Sequence, residues 1–333
     1  MHIDTLLPTE ITEVADRARQ LAELGFDGAF SFEGVGDVFL PLAIAAQFSD
    51  LTLYSNLAVA FPRSAMHLAY TAWDLQKLTQ GRFMLGLGTQ VRANVERRFS
   101  ATWSQPVDRM ADMAVALKAI FACWQDGARL DHRSPFSTYT LMQPTFNPGP
   151  LPWGPPPILL GALGPRMTRM VASTADGVLL HPFMSASYFQ ERTLVEVDAG
   201  LAEAHRQPGE LSVVATAIVC TGRDAEEMAV AEAGTRFLLG FYGSTPAYRP
   251  VLDHHGWGDL QTELNDLVRQ GRWTEMADRI DDEVLDTLAI RAEPGQVGSA
   301  VASRFGSRPD RIGFYLPYTI DPGCLTEIRS GFD

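Results

Sequence analysis

Gly81 to Phe99 reads GRFMLGLGTQVRANVERRF. Its apolar run, Phe83 to Leu87, is interrupted by Gly86 and closed by Gly88, and Arg92, Arg97 and Arg98 follow. A glycine-rich turn after a strand can present backbone N–H groups to a pyrophosphate. Here, however, Gly86-Leu87-Gly88-Thr89-Gln90-Val91 lacks the third glycine of G-x-G-x-x-G, and no βαβ unit opens the chain around it, so the dinucleotide reading is weak. The local alternative is a buried strand whose glycines let a neighbouring layer come close. The flanking sequence decides between them.

On both sides of this stretch, short apolar runs alternate with amphipathic segments, the pattern of parallel strands joined by helices. His2 to Leu7 reads as a strand, and Ile11, Val14, Ala18, Leu21 and Leu24 then recur at helical spacing up to Gly25, placed as a helix C-cap. Further strands are predicted over 26–33, 51–60 and 82–88, with helices over 65–81 and around 110–124. Residues 126 to 157 break the rhythm with eight prolines, which predicts an irregular or hairpin insertion. The alternation resumes with strands at 157–163, 176–183 and 211–220, a helical region from 222 to 292 interrupted by glycines, and a final helix and strand ending near Tyr318. Eight strands in βα order predict an α/β fold, a (β/α)8 TIM-type barrel, as one domain over 1–333 with insertions at about 126–157 and 240–292. A doubly wound sheet with a separate lobe is the alternative.

Composition fits a large core: 333 residues, 46% hydrophobic and 20% charged. The net charge of −13 argues against a nucleic-acid partner or an anionic membrane surface, so an anionic ligand must be met by local arginines. The start, MHIDTLLPTE, has no basic region leading into an apolar run, and no stretch of about 18 apolar residues follows. A cytoplasmic protein with no membrane partner is expected. Cys123, Cys220 and Cys324 are far apart and odd in number, which fits neither a disulfide framework nor a zinc site. His254 and His255 are adjacent and point in different directions, so no metal is expected there.

Four segments carry a resemblance: LAELGFDGAF (21–30), FPRSAMHLAYTAWDLQKLTQGRFMLGLGTQ (61–90), PPILLGALGPRMTRMVASTADGVLLHPF (156–183) and HGWGDL (255–260). Together they resemble the bacterial luciferase-like superfamily, and within it an actinobacterial subgroup of oxidoreductases dependent on the deazaflavin F420. The resemblance implies a TIM-type barrel with insertions, usually a homodimer, with the cofactor at the C-terminal ends of the strands. In superfamily members the third strand ends in a bulge, often with a non-proline cis peptide, that backs the cofactor ring. The matching positions are Asn56, Leu57, Ala58, Val59 and Ala60, of which Asn56, Ala58, Val59 and Ala60, with Gly88 and Thr89 of the next strand, are expected to bind cofactor. The arginines after Thr89 then become candidates for the phosphate and glutamate-bearing tail of F420.

GALGPRMTR, after the fifth strand, combines glycines that permit close backbone approach, a proline that starts a helix, and a charge. Ala162, Leu163, Gly164 and Arg166 are accordingly expected to hold a phosphate. Glu33 ends the second strand and His181 the sixth, which makes them the catalytic candidates for proton transfer. His67 reads as structural, and Trp257, Tyr242 and Tyr248 as lining a lid. SFEGVGDVF has neither the histidine nor the tryptophan, and Thr89-Gln90-Val91 lacks the glutamate, that better-known relatives carry. Their sugar-phosphate and alcohol dehydrogenase activities are therefore not carried over. The expected function is an F420-dependent oxidoreductase transferring hydride between the deazaflavin and a small, apolar organic substrate. Alternatives are an FMN-dependent monooxygenase and a non-catalytic cofactor-binding barrel.

Overall fold

The structure is a computed structural model that describes residues 1–332. Eight parallel strands form a closed (β/α)8 barrel: β1 (His2–Leu6), β2 (Gly28–Ser31), β3 (Thr52–Ser55), β4 (Phe83–Gly88), β5 (Ile158–Ala162), β6 (Gly177–Leu180), β7 (Ser212–Cys220) and β8 (Arg311–Tyr315). Each pairs with its neighbours in chain order, and β8 closes the ring against β1 with His2 opposite Arg311 and Thr5 opposite Phe314. Helices α1 (Val14–Glu23), α2 (Leu40–Phe48), α3 (Ala65–Leu78), α4 (Pro106–Asp126), α5 (Pro165–Thr174) and α6 (Leu194–Glu203) follow the first six strands. Sequence periodicity does not pick out α2, because LPLAIAAQF is apolar on nearly every side. The terminal helix Pro322–Ser330, which buries Leu325 and Ile328, is also not anticipated.

Alternate residues along each strand face the barrel interior. Phe30, Tyr54, Leu159, Leu179 and Val214 pack there, with Leu6, Leu57 and Met84 against them. At the N-terminal end the plug is polar: Arg311 donates Nε and Nη2 to the two carboxylate oxygens of Asp4, both at 2.7 Å, and Tyr54 donates its hydroxyl to Asp4 at 3.0 Å.

The glycines of the opening stretch make room for the end of the neighbouring strand. A Cβ on Gly86 would stand 1.7 Å from the backbone oxygen of Ser55, and one on Gly88 would stand 2.5 Å from Leu57 Cδ2. Gly161 of β5 meets the same Leu57 methyl at 2.5 Å. The close-approach reading of this strand therefore holds.

Two segments interrupt the barrel order. Between α4 and β5 lies a proline-rich stretch with a short hairpin, His132–Arg133 paired with Thr138–Tyr139. It is pinned to α3 and α4 by side chains: His132 and Ser137 bond Asp112, while Tyr70 and Trp73 donate to the carbonyls of Phe146 and Gly149. Proline-rich backbone has few N–H groups to offer a sheet, so side chains hold it instead. Between β7 and β8 runs a helical excursion that begins with α7 (Ala225–Gly243) and ends with the helix Val297–Phe305.

Candidate active site

The C-terminal mouth is built on a break in the third strand. After Ser55 the peptide between Asn56 and Leu57 is cis, and pairing with β4 resumes only at Ala58–Val59. The bulge is tied on three sides: Asn56 N–H donates to Ser31 O at 2.7 Å, Ala60 N–H to Gly88 O at 2.9 Å, and Asn56 Nδ2 reaches across the mouth to Thr216 Oγ1 of β7 at 2.9 Å. Ala58, Val59 and Ala60 are buried, whereas Asn56 and Leu57 are half-buried. Leu57 covers the inner faces of Gly88 and Gly161, so Gly88 meets the mouth through backbone alone.

Glu33 sits beneath this bulge. One carboxylate oxygen accepts from Val59 N–H and from Arg63, both at 2.6 Å, and the other accepts from Arg63 Nη2 at 2.9 Å. Arg63 also donates to Val59 O at 2.8 Å and lies over the Phe39 ring. Both carboxylate oxygens of Glu33 are thus engaged, and its side chain is only 7% exposed. This geometry positions the bulge backbone. Arg63, which sequence reasoning passed over, is half of that device.

His181 extends β6 into the mouth. Its Nδ1 accepts the Phe183 N–H at 3.1 Å, which fixes the neutral tautomer that carries hydrogen on Nε2. Burial pushes its pKa down to about 3. Tyr248 lies against the ring at 4.2 Å between centroids and Tyr242 meets it edge-on at 4.8 Å. Tyr242 in turn lies close to Tyr315 at the end of β8, whose ring meets Phe32 at 6.0 Å. Neither Tyr315 nor Thr216 is singled out by motif. Both follow from parity, since Thr216 shares its face with inward Val214, and Tyr315 with Arg311 and Gly313.

Tyr242 and Tyr248 come from the helical excursion, as does Trp257, which stacks on His255 at 4.7 Å. His254 and His255 bond Ser187 and Ser185, which fastens the excursion to the loop after β6. Among the described residues no group of three or more His, Cys, Asp or Glu is arranged to hold a metal ion. His67 bonds Ser64 at the start of α3.

Residues 162 to 166 meet the mouth at β5. Gly164 is the N-cap of α5 with no side-chain capping bond, Pro165 has no N–H, and a Cβ on Gly164 would touch nothing within 4 Å. Arg166 is exposed there. This uncapped helix end with free space and a guanidinium fits a phosphate. Of the other arginines, Arg92 pairs with Glu96 at 2.9 Å and Arg98 donates to Gly34 O at 2.5 Å, while Arg97 is exposed. Thr89 is half-buried at the head of that loop, followed by Gln90 in left-handed conformation (φ 61°).

The family model described as luciferase-like monooxygenase matches residues 2–310. An uncharacterized protein of Mycobacterium tuberculosis is 41% identical over 313 residues, covering 94% of this chain and 92% of that one. A putative coenzyme F420-dependent oxidoreductase of the same organism is 26% identical over 298 residues, 84% of each chain. Among solved structures, the coenzyme F420-dependent tetrahydromethanopterin reductase from Methanopyrus kandleri superposes with a TM-score of 0.80 at 16% identity, covering 98% of this chain and 96% of that one.

Proposed function

This chain belongs to the luciferase-like monooxygenase family, and from that premise we propose that it is an F420-dependent oxidoreductase that transfers hydride between the deazaflavin and a small organic substrate. The observation that carries the cofactor assignment is the uncapped α5 terminus, beside Arg166, close to the bulge at Asn56–Ala60, whose Leu57 reaches Gly161 at the end of β5. The first suits the phosphate and the second offers backbone to a flat ring; the F420-dependent relative supports the deazaflavin as the group concerned. Ala162, Leu163, Gly164 and Arg166 hold the phosphate in this reading, and Asn56, Ala58, Val59, Ala60, Gly88 and Thr89 border the ring. When bound, the deazaflavin supplies or accepts a hydride at one carbon of its central ring.

The chain's own residues do the rest. Glu33 and Arg63 keep the bulge backbone in place, and the Asn56–Thr216 bond fixes the floor between β3 and β7. His181 stays neutral with its hydrogen on Nε2, so its role in proton handling is as a hydrogen-bond donor to an oxygen that gains charge. We place the working form as a homodimer in the cytoplasm, acting on a small molecule. Among the described residues no helix is long and apolar enough to cross a membrane.

The family model's description favours a second reading, an FMN-dependent monooxygenase. Parallel titrations of cofactor-stripped protein with F420 and FMN, followed by the fluorescence of each, separate the two. F420 binding at least about tenfold tighter than FMN is expected, a difference of about 1.4 kcal/mol. The reverse order moves the assignment to the flavin, and binding of neither rejects the cofactor site.

A further inference from the structure

The side chains around the mouth narrow the chemistry of the ligand. Phe32, His181, Tyr242, Tyr248 and Tyr315 are each half-buried, whereas the strand residues beneath them are buried, so their rings form an aromatic wall at the C-terminal end of the barrel. Centroid distances of 4.2 to 6.0 Å link His181 to both tyrosines of the excursion and Phe32 to Tyr315. None of these side chains carries a charge at neutral pH. The ionised pair under the bulge, Glu33 with Arg63, is closed on itself by two hydrogen bonds that make one bidentate contact.

Two of the wall's polar groups have hydrogens to offer. His181 Nδ1 is taken by Phe183 N–H, so the ring can only donate, through Nε2. The Tyr315 hydroxyl, which lies beside that of Tyr242, can donate as well. A wall of rings with donors and no cation suits a molecule that is flat, uncharged and equipped with an acceptor oxygen. It disfavours a carboxylate or a phosphate, whose desolvation here would go uncompensated.

Resting on the reading of this mouth as the substrate site, we infer that the substrate is an uncharged ring compound with a carbonyl-type oxygen, seated against Tyr242, Tyr248 and Tyr315 and hydrogen-bonded by Tyr315 and His181. The two donors meet the oxygen on which negative charge would gather when a neighbouring carbon receives hydride. Both keep their hydrogens across the neutral range: the Phe183 N–H at Nδ1 leaves the hydrogen of the neutral His181 ring on Nε2, and burial holds the tyrosines of the wall above their usual value.

Acetophenone and benzoate share a ring and nearly a shape and differ in charge, and calorimetric titration of the whole protein with each reads the inference directly, with F420 absent and with F420 present. Acetophenone is expected to bind at least about tenfold tighter than benzoate or glucose 6-phosphate, with an affinity that is flat between about pH 5 and pH 9. Tyr315→Phe, which keeps the ring, should weaken acetophenone about fivefold and leave toluene unchanged. Benzoate or the sugar phosphate binding as tightly as acetophenone, or acetophenone failing to bind in both states, overturns the inference. So does a Tyr315→Phe variant that binds acetophenone like the parent. Acetophenone binding in a protein that rejects F420 supports the wall and overturns only the cofactor reading; F420 binding without acetophenone does the converse.

Discussion

At the residue scale, His181 is where burial and hydrogen bonding agree. Its Nδ1 accepts a backbone N–H and its ring is enclosed by Tyr242 and Tyr248, so protonation would break one bond and leave a charge among rings. The folded pKa near 3 lies below the value of about 6.5 for an unfolded chain. Above 6.5 both states are neutral and His181 adds no pH dependence. Between 6.5 and 3 the unfolded chain binds a proton that the folded one refuses, so stability falls as pH falls through that window. His181→Asn should therefore show a smaller loss of urea midpoint between pH 7 and pH 4.5 than the parent; an equal loss in both would place the acid sensitivity elsewhere. Glu33 teaches the opposite lesson: its position at a strand end marks it as an acid for chemistry, yet both its oxygens face Arg63 and the Val59 N–H. Neither Arg63 nor its reach across from α3's approach is visible in a local motif.

At the element scale, β4 and the bulge after β3 are one packing unit. Ser55 Oγ donates to Gly86 O at 2.8 Å and accepts Gly86 N–H at 3.0 Å, so the side chain of one strand completes the ladder of the next. The two glycines of β4 nevertheless differ in what faces them. Gly86→Ala drives a methyl to 1.7 Å from a backbone oxygen, which only a shift of whole strands relieves. Gly88→Ala meets the flexible end of Leu57 at 2.5 Å. Gly86→Ala should cost well over about 3 kcal/mol or prevent folding, and Gly88→Ala about 1 to 3 kcal/mol. Adding Leu57→Ala should recover part of the second loss and none of the first. Chemical denaturation followed by far-UV circular dichroism gives the ranking, and equal losses at both positions would contradict it. The glycines were legible in the sequence as close-approach positions; their partner was not, because it lies on another strand.

At the scale of the molecule, the Asp4–Arg311 pair joins the first and last strands across 307 residues and seals the bottom of the barrel. Asp4 is fully buried and Arg311 is 7% exposed. Burial pushes the Asp4 carboxyl up even against the pull of Arg311, so its charge is a burden that the guanidinium offsets rather than a surplus of stability. An acid raised in this way gives stability that is present below its unfolded value near 3.8 and lost as pH rises through the folded value. Asp4→Ala should destabilise by about 3 to 5 kcal/mol, because it strands a buried cation. Asp4→Leu with Arg311→Met should lose less than that single change, as read from urea midpoints at pH 7. A double variant less stable than Asp4→Ala would show that the ion pair itself holds the barrel closed.

The sequence by itself determined the class of fold and the order of its parts. Apolar runs such as Ile158–Ala162 and Ser212–Cys220 are buried on both faces, so each declares a strand without reference to its neighbours, and α1 declares itself by its helical spacing and by the glycine that follows it. The same local chemistry located the uncapped helix at Gly164. What only the tertiary structure decided is which side chains meet: Glu33 with Arg63, Asn56 with Thr216, Leu57 with Gly88 and Gly161, and His181 with tyrosines from an excursion more than sixty positions away. Closing eight strands into a ring brings their C-terminal ends within hydrogen-bonding reach, and the contacts made there depend on register and strand tilt, which no single segment encodes.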